Sequence, residues 1–371
     1  MEPNKYPGKF AFIIHPLDKQ DIINFEPRVV TKREELIKKM FEWMPPFKTS
    51  NITGIKSLTG DTAEGWFISC PFLPEQFLEL PLEKVYKKII EACKLAEELG
   101  AKIIGLGAYT SVVGDAGETI ARNLNIPVTS GSSYTIATAV EATIKAAKLM
   151  NIDISKERCA IVGATGAIGR ACAKMLIDKV GRIILVGRNK RTLQKVKEEI
   201  EDFAGIDLNI TTDIKEALQQ SKLVISATSS VKSVIEPSYP LSGSVICDVA
   251  LPHDVCREVA LQRDDVLVIE GGLVRVPGDV DFGYDFGYPK GVALACMAET
   301  MILALEKRYV SYSLGRKIPL NKVQEITELA TKHGFSLEGF RSFDRWLSQE
   351  EIMLISKKAN SYKLSNRRGI I

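Results

Sequence analysis

Gly163, Gly166 and Gly169 follow the apolar run Cys159-Ala-Ile-Val162 and open a helical stretch. Glycine does three jobs there. Gly163 permits a tight turn, Gly166 lets the backbone approach a pyrophosphate, and Gly169 lets helix and strand pack closely. The helix N-terminus then offers free N–H groups and a positive dipole end to the phosphates. A glycine triplet alone is a weak signal. This one sits after a strand, opens a helix, and precedes a second apolar strand at 182–188, which is the context a dinucleotide site requires. Gly163, Thr165, Gly166, Ala167, Ile168 and Gly169 are therefore candidate cofactor contacts. The second strand is followed by Arg188-Asn189-Lys190-Arg191, with no carboxylate to hold a ribose diol. Arg188, Asn189 and Arg191 would attract a 2′-phosphate instead, so the expected cofactor is NADPH. Ala227, Thr228 and Gly271 join the set, because they end later strands where ligands bind.

A nicotinamide supplies hydride but does not choose the substrate. Histidine is scarce: His15 follows an apolar strand, His253 lies in Leu251-Pro-His-Asp254, and the third is His333. His15 and His253 read either as proton donors near a cleft or as structural rings. Cys296 lies in the apolar segment Gly291-Val-Ala-Leu-Ala-Cys-Met-Ala-Glu-Thr300. On residue type alone it is a small core residue or a nucleophile. A helix opening near Pro289, a position proline favours, would place Cys296 about two turns in, where the dipole helps a thiolate little.

These residues need a scaffold. From Arg158 to Gly272 the chain alternates strand and helix, with strands expected at 159–164, 182–188, 208–212, 223–228, 244–250 and 266–271. That alternation predicts an α/β fold with a doubly wound parallel Rossmann sheet. Before it, a strand is expected at 10–16, helices at 31–44, 82–99, 116–124 and 134–150, and a strand at 102–107. The Gly/aromatic stretch 273–290 reads as a loop, 320–333 as a helix, and the last twenty residues as a basic tail. The division expected is an N-terminal α/β substrate domain (1–150), an NADP-binding domain (151–290) and C-terminal helices (291–371) that carry the cysteine back to the N-terminal domain.

The charge balance narrows the function classes. Lys+Arg is 49 against 46 for Asp+Glu, a net +3 that argues against a nucleic-acid binder. The hydrophobic fraction is 45% and the charged fraction 26%, ordinary for a globular enzyme. No apolar run reaches the roughly 18 residues of a membrane span. Met1-Glu2-Pro3-Asn4-Lys5 has no apolar core of a signal peptide. The seven cysteines are odd in number and lack CxxC or Cys/His ligand spacing, so neither a disulfide framework nor a metal site is expected. Reduced thiols in a cytoplasm fit this pattern.

Several segments, in order, resemble landmarks of the acyl-carrier-protein reductases that make fatty aldehydes in cyanobacteria. They are Phe10 to His15, Cys70-Pro-Phe-Leu-Pro-Glu75, Gly107-Ala-Tyr-Thr-Ser111, Thr129-Ser-Gly131, Val162 to Gly169, Glu270-Gly-Gly272, Ala295-Cys-Met-Ala-Glu299 and Lys332-His-Gly-Phe335. The resemblance covers about residues 10–340. It implies that Cys296 accepts the acyl group of a thioester, carried by acyl-carrier protein or coenzyme A, before NADPH reduces it to a fatty aldehyde. A cationic or polar neighbour would then lower the thiol's pKa. Backbone N–H groups, Thr110, Ser111 or Tyr134 would stabilise the oxyanion. Tyr134 stands where the family has a histidine, and Pro71 where it has a cysteine. The acyl chain would lie along Leu294, Met297 and the aromatics from Phe282 to Tyr288. Lys84, Lys87, Lys88 and Lys94 could meet an acidic carrier or simply face solvent. The alternative is a shikimate-dehydrogenase-like reductase of a small hydroxy or keto acid. The oligomeric state, a homo-oligomer included, is left open.

Overall fold

The computed structural model describes residues 6–204 and 208–368. The first five residues, on which the expectation of no signal peptide rests, lie outside them. The chain forms two compact units, Met1–Tyr134 with Val274–Ser336, and Thr135–Leu273 with Leu337–Ile371. The boundaries differ from the sequence expectation. Most of the helix before residue 150 joins the second unit, and the segment that returns to the first unit is 274–336, not the whole C-terminal region.

The first unit runs β1 (Gly8–Ile14), α1 (Lys19–Phe25), α2 (Glu34–Trp43), β2 (Phe47–Lys56), β3 (Thr62–Ser69), α3 (Pro74–Glu79), α4 (Leu82–Glu98), β4 (Ile104–Leu106), α5 (Tyr109–Val112), α6 (Glu118–Arg122) and β5 (Val128–Thr129). Phe10, Ala11, Phe12 and Ile13 are all buried, as a strand covered on both faces requires. In α4, Val85, Ile89, Ala92, Cys93 and Ala96 are buried at helical spacing and Lys88 sits among them. The Lys88 Nζ reaches the carbonyls of Phe41, Glu42 and Met44, at 3.4, 3.1 and 2.6 Å. Lys88 thus satisfies carbonyls at the C-terminal end of α2 and is unavailable for a docking surface.

Helix α7 (Ser132–Leu149) carries the chain into the second unit. There follow β6 (Arg158–Val162), α8 (Ala167–Leu176), β7 (Arg182–Val186), α9 (Lys190–Ala204), β8 (Asn209–Thr211), α10 (Ile214–Leu218), β9 (Leu223–Ser226), β10 (Val245–Asp248), α11 (Arg257–Gln262) and β11 (Leu267–Glu270). The six strands pair in parallel in the order β11-β10-β9-β6-β7-β8. The order reverses between β6 and β9, which makes their carboxyl ends the topological switch point of a doubly wound Rossmann sheet. All six expected strands are present.

Beyond β12 (Leu273–Arg275) the chain is back in the first unit with β13 (Gly278–Asp281), β14 (Val292–Leu294), α12 (Ala295–Leu305) and α13 (Leu320–His333). β13 completes a mixed sheet in the order β13-β2-β3-β1-β4-β5, so 273–290 is not all loop. Helix α12 packs on β1 and β4. Glycines make this approach close: a Cβ at Gly8 would lie 2.0 Å from the Ala304 carbonyl oxygen, and one at Gly105 would lie 2.1 Å from Thr300 Oγ1. After β15 (Ser336–Leu337) come the hairpin β16 (Phe340–Ser342) and β17 (Arg345–Leu347), then α14 (Gln349–Arg368). Here the expected basic tail is instead a docked helix. Ile352 and Ala359 are buried, Ser356 Oγ donates to the Met150 carbonyl (2.9 Å), and Lys358 pairs with Asp264 (2.9 Å).

Candidate functional site

In the second unit the turn after β6 is shaped by backbone contact. Gly163 has φ +84°, and a Cβ there would sit 2.4 Å from the Ala227 carbonyl oxygen. A Cβ at Gly169 would sit 2.5 Å from the Gly163 carbonyl oxygen. A Cβ at Gly166 would lie 3.3 Å from the Gly163 carbonyl oxygen, tight but less so than at the other two glycines. No side chain caps α8, which leaves the amides of its first turn, at Ala167, Ile168 and Gly169, for an anion. Thr165 flanks the same turn, its Cγ2 near Gly187. Arg188 and Arg191 are exposed and have no carboxylate partner among the described residues. Asn189 is occupied otherwise, since its Oδ1 accepts the Thr192 N–H at 3.0 Å and caps α9. The glycine cradle and unpaired arginines fit a nicotinamide dinucleotide.

Sequence reasoning passed over the residue that holds the next turn. Asp254 is fully buried and accepts hydrogen bonds from Ser226 Oγ (2.7 Å), the Thr228 N–H (2.9 Å) and Thr228 Oγ1. Burial, with the charge of Asp248, pushes it up to about 6. It thereby positions Ser226-Ala227-Thr228 beside the glycine turn. Gly271 leaves the end of β11 and packs on Cys247, whose Sγ would lie 2.7 Å from a Cβ there.

Asp248 and Glu270 end neighbouring strands in register. His253 Nδ1 lies 3.4 Å from Asp248, and Arg341 lies 3.7 Å from Glu270. Burial pushes Glu270 up to about 7 against the pull of Arg341 and His253, and its Oε1 is buried with no hydrogen-bond partner. Burial works against the charged form of His253, but hydrogen bonding and charge from Asp248 outweigh it and raise its pKa. A separate cleft of about 430 Å³ in this unit, lined by Arg257, Leu261, Phe343 and Leu354, holds none of the predicted site residues.

In the first unit Cys296 is the second residue of α12, because Val292–Leu294 is a strand and the helix begins at Ala295. The helix start expected at Pro289 is therefore corrected, and the sulfur stands where helical N–H groups are free and the dipole is positive. Gly131 packs directly upon it: φ is +73°, and a Cβ would lie 2.3 Å from both Cys296 Cα and Cβ. The loop holding Gly131 runs from β5 to the start of α7, so a second helix N-terminus adjoins the cysteine.

One buried carboxyl ties these pieces together. Glu299, one turn after Cys296, accepts from Thr129 Oγ1 and from the Tyr134 N–H at 2.8 Å. Ser313 Oγ donates to Ser133 Oγ (2.6 Å) and accepts from the Ser133 N–H (3.2 Å). Burial raises the Glu299 pKa against these bonds. The signal for Glu299 lies in the Ala-Cys-x-Ala-Glu segment, where residue type singles out only the cysteine.

Cys296 is half-buried, and loss of hydration pushes its thiol up to about 12, with backbone N–H groups opposing and Glu299 adding to the rise. The expected lowering by a cationic neighbour is thus reversed within this unit. His15 is also held differently from a proton donor. Its Nε2 accepts the Tyr109 N–H at 3.1 Å, its Nδ1 faces the Pro16 carbonyl at 2.9 Å, and burial lowers it to about 4. Both nitrogens are engaged and the ring is neutral at ordinary pH. Thr110 and Ser111 donate to the carbonyls of Gly107 and Ala108, both at 2.7 Å, which turns them away from oxyanion duty. Cys70 is buried and its thiol is pushed up to about 12. Met297 is core, Leu294 is half-exposed, and Phe282 and Phe286 pack on Phe67 with ring centroids 6.1 and 5.6 Å away.

The chain is similar in sequence to several known proteins. The Shikimate / quinate 5-dehydrogenase family matches residues 144–270. Over 363 residues the chain is 31% identical to aminotransferase PigE of Serratia, covering 94% of this chain but 42% of that protein. It is 29% identical to the long-chain acyl-[acyl-carrier-protein] reductase of Synechococcus elongatus, covering 78% of this chain and 87% of that one. A glutamyl-tRNA reductase of Campylobacter lari is 26% identical over 54% of this chain and 40% of its own. The chain thus spans under half of two of these three relatives. Two are reductases by name, and the family match is a dehydrogenase confined to the second unit and the helix leading into it. Among the described residues no helix is long and apolar enough to cross a membrane.

Proposed function

We propose that the protein reduces an acyl thioester to an aldehyde with NADPH, through a thioacyl bond to Cys296. The observation that carries this reading is the placement of Cys296 at the second position of α12, under Gly131 and beside the start of α7. The two reductase relatives support it. The match to the Shikimate / quinate 5-dehydrogenase family ends at residue 270, before the cysteine, and so bears on the cofactor unit rather than on the substrate.

The turn Gly163–Gly169 with Arg188 and Arg191 would hold NADPH, which supplies a hydride when bound. The chain's own residues do the rest. The Cys296 thiol loses its proton as its sulfur attacks the thioester carbon; the carrier's sulfur leaves and takes up a proton. The first-turn amides of α12 and the loop 131–133 face the negative charge that develops on the acyl oxygen. After reduction of the acyl carbon, the hemithioacetal breaks its carbon–sulfur bond, releases aldehyde and returns the cysteine to its thiol. Burial pushes the thiol up to about 12, so the cysteine gives up its proton as it attacks rather than beforehand. Glu299 positions the loop, and Tyr134 contributes through its main chain. The substrate is a fatty acyl group on acyl-carrier protein or coenzyme A.

Intact-mass analysis after mixing with acyl-CoA and acyl-carrier protein of several chain lengths, without NADPH, tests the reading. The expected result is one acyl adduct, lost in Cys296→Ser. An aldehyde-forming Cys296→Ser variant would overturn it.

A further inference from the structure

Helix α2 buries one face and leaves another without a partner. Ile37 packs with Ile22, Val29 and Leu73, and Phe41 lies against this cluster. Roughly 110° around the helix from Ile37 and Phe41, Leu36, Met40 and Trp43 follow each other at i, i+4 and i+7, and are 47%, 39% and 88% exposed. Val30, just before the helix, is 55% exposed. A contiguous stripe of this kind is uncommon on a surface that meets only water.

The charges around the stripe are sorted. With about 100° of turn per residue, Arg33 and Lys39 fall roughly 60° to either side of it. They and Lys32 have no carboxylate partner among the described residues. The helix's carboxylates are turned away and mostly neutralised: Glu34 pairs with Lys38 at 2.9 Å and Glu42 pairs with Lys84. A tryptophan-containing apolar stripe with cations on both flanks matches a helix that lies in the interface of an anionic bilayer. A two-fold pairing of the same stripe would bring the cationic rims of two copies together, against only Glu35, so charge disfavours a second copy as the occupant.

We propose that the α2 stripe docks the protein reversibly onto an anionic lipid surface, with Trp43 as its anchor and Lys32, Arg33 and Lys39 meeting the headgroups. The proposal is independent of the thioester reading. If that reading holds as well, the stripe brings the enzyme to the phase into which a fatty aldehyde partitions.

The test is co-sedimentation of the full chain with vesicles of phosphatidylcholine alone or mixed with phosphatidylglycerol, at low and high salt, alongside light scattering. Expected is binding to the anionic vesicles only, weakened by salt, about tenfold weaker in Trp43→Ser, and reduced in Lys39→Glu. Both variants should keep the wild-type melting temperature. Overturning results are equal sedimentation of wild type and Trp43→Ser, binding indifferent to lipid charge, or no vesicle binding. A dimer that Trp43→Ser converts to monomer, in the absence of vesicle binding, would reassign the stripe to self-association.

Discussion

Replacing Gly131 by alanine separates two costs that the structure assigns to one position. Gly131 has φ +73°, and a left-handed conformation costs a non-glycine residue about 1–3 kcal/mol. The added Cβ would lie 2.3 Å from Cys296 Cα and Cβ, which are backbone-borne atoms that cannot swing aside. Overpacking of that kind adds about 1–3 kcal/mol. Gly100→Ala is the control: φ is +95°, with no atom within 4 Å, so it carries only the backbone cost. For a unit of about 200 residues, 1 kcal/mol moves the melting temperature by about 2–4 °C. Gly131→Ala should therefore melt about 4–24 °C below wild type, and several degrees below Gly100→Ala. Differential scanning calorimetry gives the melts, and time-resolved intact mass gives the rate of acyl-enzyme formation. That rate should fall at least tenfold in Gly131→Ala alone, since α12 must shift its first turn. Equal melting of the two variants, with a wild-type acylation rate, would refute the claim that Gly131 seats the cysteine.

Other substitutions read other parts of the molecule. Arg188→Glu should lower the NADPH-over-NADH preference at least tenfold in a fluorescence titration, the loss of one charge-assisted bond of about 1.5–3 kcal/mol. Glu270 is held up to about 7 from an ordinary 4.5, so its folded state is favoured below that ordinary value and loses about 3 kcal/mol as pH rises through 7. Glu270→Gln should flatten this decline between pH 4.5 and 8 in a denaturant series, with Asp248, His253, Arg341 and Asp344 left in place. His15, lowered to about 4, works the other way: stability should fall from about pH 6.5 toward 4 as the unfolded chain takes up the proton, and His15→Gln should remove that slope. Lys88→Met should destabilise the chain by about 1–3 kcal/mol, because three carbonyls lose their donor, with no change in carrier affinity.

The second unit was legible because its information is local. Each strand–turn–helix is written within about thirty residues, and Gly163, Gly166 and Gly169 mark the turn through their own backbone demands. The first unit hides its order in distant pairings. β2 alternates poorly, contains Gly54 and shifts register twice against β3, so no period-two pattern marks it. Pro289 resembles a helix start, yet three residues of β14 intervene before Ala295. Glu299 looked unremarkable because a buried carboxyl in an apolar helix has meaning only once Thr129 and Tyr134 are brought to it. Residue type alone leaves His15 open; what decides its role is the amide of Tyr109, ninety-four positions away.

The strand β13 pairs with β2 across more than two hundred positions, and α12 lies on β1 and β4, both far ahead of it in the chain. The emerging N-terminal segment therefore waits, with the bed for α12 uncovered, until residues 274–336 have left the ribosome. The Rossmann sheet can close earlier from its own local units. A chain ending at residue 273 therefore lacks part of both units, 274–336 of the first and 337–371 of the second, and no single cut in the gene can separate the two as intact pieces.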